Sequence, residues 1–123
     1  MQNASMAGPK VIGRHVYGNL KGCRNIEALR DPYTVEETLR RAGEEGGMTI
    51  LDIKSWKIGD GVSAVAIVLE SHITIHTWPE YRFATVDVYS CGAHTDPYKA
   101  FEHIVKVFQP EDVTIGSADR SLE

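Results

Sequence analysis

Eleven consecutive residues, Glu70-Ser71-His72-Ile73-Thr74-Ile75-His76-Thr77-Trp78-Pro79-Glu80, bring together two imidazoles, a hydroxyl nucleophile and two carboxylates. A metal site is the first chemistry to weigh. His72 and His76 are four apart, which on a helix would let both reach one ion. On a strand the same spacing separates their Cα atoms by about 13 Å at ~3.3 Å per residue, whereas Zn–N bonds measure only ~2.0–2.1 Å. Cys91 and His94 could share an ion, but two ligands are too few. No metal is expected. Ser71, His76 and Asp87 could supply a nucleophile, a base and an orienting acid, yet no nucleophile-elbow pattern surrounds Ser71. Cys91 closes a strand beside Gly92, where a thiol can face a cleft. Cys23 reads as a small core hydrophobe, and His15 and His103 as surface or hydrogen-bonded structural residues.

The elements that must position these groups follow from periodicity. Met1 to Lys10 is small and polar, and is expected to fray. Val11 to Leu20 reads as a strand ending near Gly22. Asp31-Pro32-Tyr33-Thr34 opens a helix, with Thr34 as cap and Glu37 three residues on as its capping-box partner. Gly46-Gly47 stops it. Met48 to Ile58 reads as a second strand, and Gly59-Asp60-Gly61 as a tight turn. The apolar run Val62–Leu69 suits a buried central strand. His72–Trp78 follows as another strand, with Pro79-Glu80 at its end. Phe83–Tyr89 alternates, with Ala84, Val86 and Val88 on one face. Asp96-Pro97 opens a second helix, whose Tyr98, Phe101, Ile104, Val105 and Phe108 recur at helical spacing until Pro110. Val113-Thr114-Ile115 makes a short last edge strand. The order β-α-ββββ-α-β predicts an α+β two-layer sandwich, an antiparallel sheet with two helices on one face. The other sheet face would lie at a subunit interface.

Composition narrows the function classes. The 123 residues allow one domain, residues 1–123. Thirteen basic against seventeen acidic residues give a net charge of −4, which argues against nucleic acid or an anionic membrane as partner. No apolar run approaches the ~18–20 residues needed to span a bilayer. Two cysteines fall short of a disulfide framework, and no signal-like layout opens the chain, so a cytoplasmic location is expected.

The run Glu70 to Glu80, followed by Ala84-Thr85-Val86-Asp87-Val88-Tyr89-Ser90-Cys91-Gly92, closely resembles the prokaryotic S-adenosylmethionine decarboxylase family, small pyruvoyl-dependent enzymes of polyamine synthesis. The likeness extends from Gly13-Arg14-His15 through the helix after Cys91. It implies a zymogen that cuts itself between Glu70 and Ser71, leaving residues 1–70 as the β subunit and 71–123 as the α subunit. Ser71 becomes a pyruvoyl cofactor, to which the substrate amine binds as a Schiff base. The resemblance assigns His76 to proton transfer during processing, Ser63 to support of its first step, and Cys91 to proton donation in decarboxylation. Because Ser71 and His76 are of opposite strand parity, their cooperation requires the chain to bend at Glu70-Ser71, and local strain there would favour the acyl shift. A homo-oligomer of processed protomers, with sites at or near the interface, is implied as well.

Departures from the family pattern bear on the substrate. Where a phenylalanine usually stacks on adenine, this chain has Ile58, in a loop one residue shorter; Trp56 shares its face. His15-Val16-Tyr17-Gly18-Asn19-Leu20 and Ala118-Asp119-Arg120-Ser121 resemble an archaeal branch that includes arginine decarboxylases. A guanidinium needs a carboxylate, for which Asp52, Asp60 and Glu80 are candidates, with Glu80 and Trp78 in the recognised motif. The expectation is therefore arginine to agmatine plus CO2, with S-adenosylmethionine as the alternative substrate. A non-catalytic binding module or inactive partner subunit is the reading from another class; it predicts that Ser71 stays a serine.

Overall fold

The structure, a computed structural model, describes residues 10–123. The expected fraying of Met1–Lys10 falls, apart from Lys10, outside the described residues. Six strands form one antiparallel sheet in the order β2-β3-β4-β5-β1-β6. They are β1 (Arg14–Lys21), β2 (Ile50–Ile58), β3 (Gly61–Val68), β4 (Ser71–Trp78), β5 (Phe83–Ser90) and β6 (Asp112–Asp119). The helices are α1 (Ile26–Arg30), α2 (Pro32–Glu45) and α3 (Pro97–Phe108), with a single 3-10 turn at Pro79–Tyr81. The predicted α+β sandwich is what forms.

Alternation on the strands makes the core. Val16 and Leu20 of β1, Ala64, Ala66 and Val68 of β3, Ile73 and Ile75 of β4, and Ala84, Val86 and Val88 of β5 are all buried. They meet Val35, Leu39 and Ala42 of α2, and Phe101, Ile104 and Phe108 of α3, in one cluster. Cys23 lies in the same cluster, where burial pushes its thiol up to about 11, so it is inert as a nucleophile. On the opposite face the odd residues of β5 and the even ones of β4 carry His72, His76, Trp78 and Tyr89, and none of the helices among the described residues covers them.

Three local details differ from the sequence expectations. Asp31, not Thr34, caps α2, accepting hydrogen bonds from the Thr34 amide (3.2 Å) and hydroxyl (2.5 Å), while Pro32 opens the first turn. Thr34 instead lies within the helix. The five-residue α1 was invisible because one short turn has little periodicity of its own. Thr77 fixes its end to the sheet, donating to the Leu29 carbonyl at 2.7 Å and accepting from the Val62 amide at 2.8 Å. The last strand runs to Asp119 rather than Ile115, paired along its whole length with β1. Gly116-Ser117-Ala118 has weak strand propensity, but pairing overrides it. A Cβ at Gly18 of β1 would collide with the Thr114 carbonyl oxygen of β6, so glycine is required there by close approach.

Candidate active site

Leu69 and Glu70 form the two-residue corner between β3 and β4, with Val68 facing Ser71 across it. The chain therefore turns at Glu70-Ser71, but Ser71 and His76 both lie beyond the turn on β4. Ser71 adopts a φ of +152°, a conformation that glycine enters freely and other residues rarely adopt. Such a residue carries about 1–3 kcal/mol of strain. The strain sits at the bond that the family chemistry would break.

Both sides of that bond are gripped. Ser71 Oγ lies 3.2 Å from Cys91 Sγ, and the Cys91 amide donates to the Glu70 carbonyl at 2.8 Å. The Glu70 side chain is buried, at 7% exposure. Its carboxylate accepts from the Thr49 amide at 3.1 Å and from His94 Nε2 at 2.9 Å. Burial alone would raise the Glu70 pKa, but those two hydrogen bonds and the His94 charge outweigh it and hold the group below the usual carboxylate value. The carboxyl is thus ionised at neutral pH.

A second polar pair stands elsewhere on the open face. Ser63 of β3 and His76 of β4 are directly opposite in register, with Ser63 Oγ 2.9 Å from His76 Nδ1. His76 is five residues along β4 from Ser71, about 16 Å at ~3.3 Å per residue. The corner at Glu70 therefore does not bring His76 to Ser71 within one chain. The Ser71, His76 and Asp87 arrangement does not form either. Asp87 pairs with His15 at 3.0 Å and accepts from Thr74 at 3.4 Å. Burial, reinforced by the nearby His15, pushes the His72 imidazole below its ordinary value, so it sits neutral beside Tyr89.

The residues expected to bind substrate collect at the His76 end of the sheet. Trp56 of β2 faces Ser63 in register, and Ile58 faces Gly61 at the hairpin; they are 54% and 61% exposed. Trp78 is 38% exposed and packs on Phe83, ring centroids 5.5 Å apart. Glu80 lies exposed in the 3-10 turn that follows. Asp60 is occupied: its carboxylate receives Arg30 Nε at 2.8 Å, and that guanidinium holds it below its ordinary pKa. Asp52 is exposed on the edge strand, 4.0 Å from Lys54 Nζ. His94 and Thr49, the two anchors of Glu70, escaped the sequence reading. His94 was weighed only as a ligand beside Cys91; the glycine between them was the available signal for a loop folding back.

The chain is similar to known proteins along nearly its whole length. The family model described as S-adenosylmethionine decarboxylase matches residues 14–121. A protein of Aeropyrum pernix named S-adenosylmethionine decarboxylase proenzyme is 60% identical over 121 residues, covering 98% of this chain and 93% of that protein. One of the same name from Sulfurisphaera tokodaii is 67% identical over 115 residues, 94% of this chain and 93% of the relative. The crystal structure of the adenosylmethionine decarboxylase from Aquifex aeolicus superposes with a TM-score of 0.82 at 29% identity, covering 93% of this chain and 94% of that one.

Proposed function

The chain belongs to the S-adenosylmethionine decarboxylase family, and on that premise we propose that it is a proenzyme which cuts itself at Glu70–Ser71 and decarboxylates S-adenosylmethionine. It is a pyruvoyl-dependent decarboxylase of polyamine synthesis, as its family is. The observation that carries the site assignment is the grip of Cys91 on both sides of the scissile bond. Its amide holds the Glu70 carbonyl oxygen, where negative charge develops when Ser71 Oγ attacks the carbonyl carbon. The C–N bond breaks, the Ser71 nitrogen takes a proton, and an ester links the two halves. Removal of the Ser71 α-proton then expels the Glu70 carboxylate and leaves dehydroalanine. Water adds and ammonia departs, so that residue 71 becomes the pyruvoyl cap of the fragment 71–123.

The residues around position 71 suit that group. The hydroxyl that would attack already faces a thiol, and Glu70, which would carry that oxygen away in its new carboxylate, is the neighbour to be released. A pyruvoyl group supplies an electrophilic carbonyl that draws in the electrons left by departing CO2. Cys91 Sγ is the donor placed to return a proton to the substrate carbon. Ser63 and His76 serve processing, and Trp78, Glu80, Trp56 and Ile58 line the substrate.

These two groups of residues stand at opposite ends of one sheet face, so one chain holds two halves of a site. The open face also carries Trp56, Ile58, Ile67 and Tyr17 exposed. Two copies stacked face to face about a two-fold axis would bring Ser71 and Cys91 of each against Ser63 and His76 of the other. The functional unit is thus a homodimer of processed protomers. Among the described residues no helix is long and apolar enough to cross a membrane, and both cysteines are free; a cytoplasmic location follows from the reading.

The arginine expectation gives way to S-adenosylmethionine. The curated relatives carry that name at 60% and 67% identity. Asp60 already binds the chain's own guanidinium at Arg30, which removes one acceptor for a substrate guanidinium. Loss of a phenylalanine at Ile58 also removes little aromatic surface, because Trp56 and Trp78 stay open on the same face. The test is intact mass, then CO2 release from carboxyl-labelled S-adenosylmethionine and, separately, arginine. Fragments 1–70 and 71–123 with turnover of the first substrate are expected. Turnover of arginine alone would reverse the substrate assignment, and an uncut, inactive chain would leave a binding module or inactive partner subunit.

A further inference from the structure

The chemistry of self-cleavage uses only the main chain of Glu70: its carbonyl is attacked and later leaves as a carboxylate. Nothing in that chemistry requires the side chain, yet the side chain is buried and both of its oxygens are satisfied. A glutamate withdrawn from water this far is uncommon unless its charge is matched by donors. The donors come from two directions. Thr49, between α2 and β2, gives its amide to Oε1 and accepts the Leu69 amide at 2.9 Å, so it holds both residues of the corner. His94, in the loop after β5, meets Oε2; a carboxylate can only accept, so Nε2 carries the proton.

The loop that presents His94 also presents Cys91, and it is internally tied. The Gly92 amide donates to Ser90 Oγ at 3.2 Å, and Thr95 donates to the Gly92 carbonyl through its amide (3.2 Å) and its hydroxyl (2.7 Å). The Ser90 and Thr95 hydroxyls bond each other beneath it. A Cβ at residue 92 would stand 2.8 Å from Glu70 Cγ and 2.9 Å from His94 Cε1, so this loop closes directly on the glutamate. One tied loop therefore touches the reacting segment at three points: Ser71 Oγ, the Glu70 carbonyl oxygen and the Glu70 carboxylate.

We propose that His94 is a positioning residue for self-cleavage, locking the Glu70 carboxylate so that the neighbouring carbonyl is held in the plane that Ser71 Oγ must attack. This rests on the processing reading above. His94 does not touch the reacting atoms and adds nothing to the core, since 65% of its side chain is exposed. Truncating it leaves no buried cavity, and a purely structural role would show little. Its influence is confined to the uncut chain, because cleavage places Glu70 at the end of the fragment 1–70, no longer bonded to residue 71.

The experiment times the appearance of fragment 71–123 by mass in cell-free synthesis of wild type, His94→Ala and His94→Gln. CO2 release is then measured per cut chain, and Tm in a Ser71→Ala background with and without His94→Ala. Cleavage in His94→Ala should slow by about ten- to a hundredfold, the range that small misplacement of reacting groups produces. His94→Gln, which can still donate to Oε2, should recover much of the rate. CO2 release per cut chain should stay at the control value, and the Tm should fall by no more than a few degrees, because water can take the place of the exposed imidazole at Oε2. Wild-type cleavage in His94→Ala overturns the proposal, as does an equal loss of CO2 release per cut chain or a large fall in Tm. A wild-type chain that never cuts at Glu70 overturns the processing reading itself, and this inference with it.

Discussion

His76 Nδ1 bonds Ser63 Oγ at 2.9 Å across the β3–β4 pair, while Ser71, on the same strand as His76, bonds Cys91 at the other end of the sheet. The two polar pairs are each well formed and cannot meet inside one chain. This separation is what makes the second copy necessary to the proposed function.

It also gives a direct test by subunit complementation. A Ser71→Ala chain cannot be cut but retains His76; a His76→Ala chain retains Ser71 but lacks the imidazole. In a mixed dimer one composite site has both wild-type groups. Co-expression should therefore restore cleavage of the His76→Ala chain, seen by mass as its fragments 1–70 and 71–123, whereas that chain alone should be cut at least tenfold more slowly. No rescue in verified heterodimers would mean that His76 acts on its own chain after rearrangement, or not at all.

The φ of +152° at Ser71 predicts an inverted order of stability between two uncleavable variants. Alanine keeps the strained backbone, whereas glycine relieves about 1–3 kcal/mol of strain and costs roughly 0.5–1 kcal/mol in chain entropy. Ser71→Gly should be more stable than Ser71→Ala by roughly 1 kcal/mol, a few degrees in Tm. Ordinary sites show the reverse. If Ser71→Ala proves the more stable of the two, the corner is relaxed and strain has no part in the acyl shift.

What the sequence could and could not convey follows from the range of each signal. Alternation in Phe83–Tyr89 and the 3.6-residue spacing of Tyr98 to Phe108 are local patterns, and they mapped onto β5 and α3. Asp31 and Thr34 are both good caps, and Pro32 was the local clue that favoured the first. The roles given to Ser63, Ser71, His76 and Cys91 came only through the family motif, because residues on three separate segments share no local period. Their division into two pairs was not legible at all, since it depends on register: Ser63 opposite His76, and Ser71 opposite Ser90. His94 and Thr49 were missed for the same reason, being joined to Glu70 across 24 and 21 residues. The substrate expectation gave way for a different reason. It rested on one absent ring at Ile58 and on a likeness to an archaeal branch, while Trp56 of β2 and Trp78 of β4 offer the same kind of surface on one face.

Cys91 should separate the two reactions that share the site. Its contribution to cleavage comes from the main chain: the amide that holds the Glu70 carbonyl oxygen at 2.8 Å survives any substitution except proline. Its proposed contribution to decarboxylation comes from Sγ, which lies 3.2 Å from Ser71 Oγ. A serine hydroxyl can still bond Ser71 Oγ, but it is a far weaker proton donor than a thiol, whose ordinary pKa is near 8.5. Cys91→Ser should therefore cut within a few-fold of the wild-type rate, while CO2 release per cut chain falls by about a hundredfold or more, the range general-acid groups supply. Intact mass over time and labelled CO2 from the same preparation give both numbers. Equal loss of the two activities would assign the thiol to processing as well, and unchanged CO2 release would remove Cys91 from the role of proton donor.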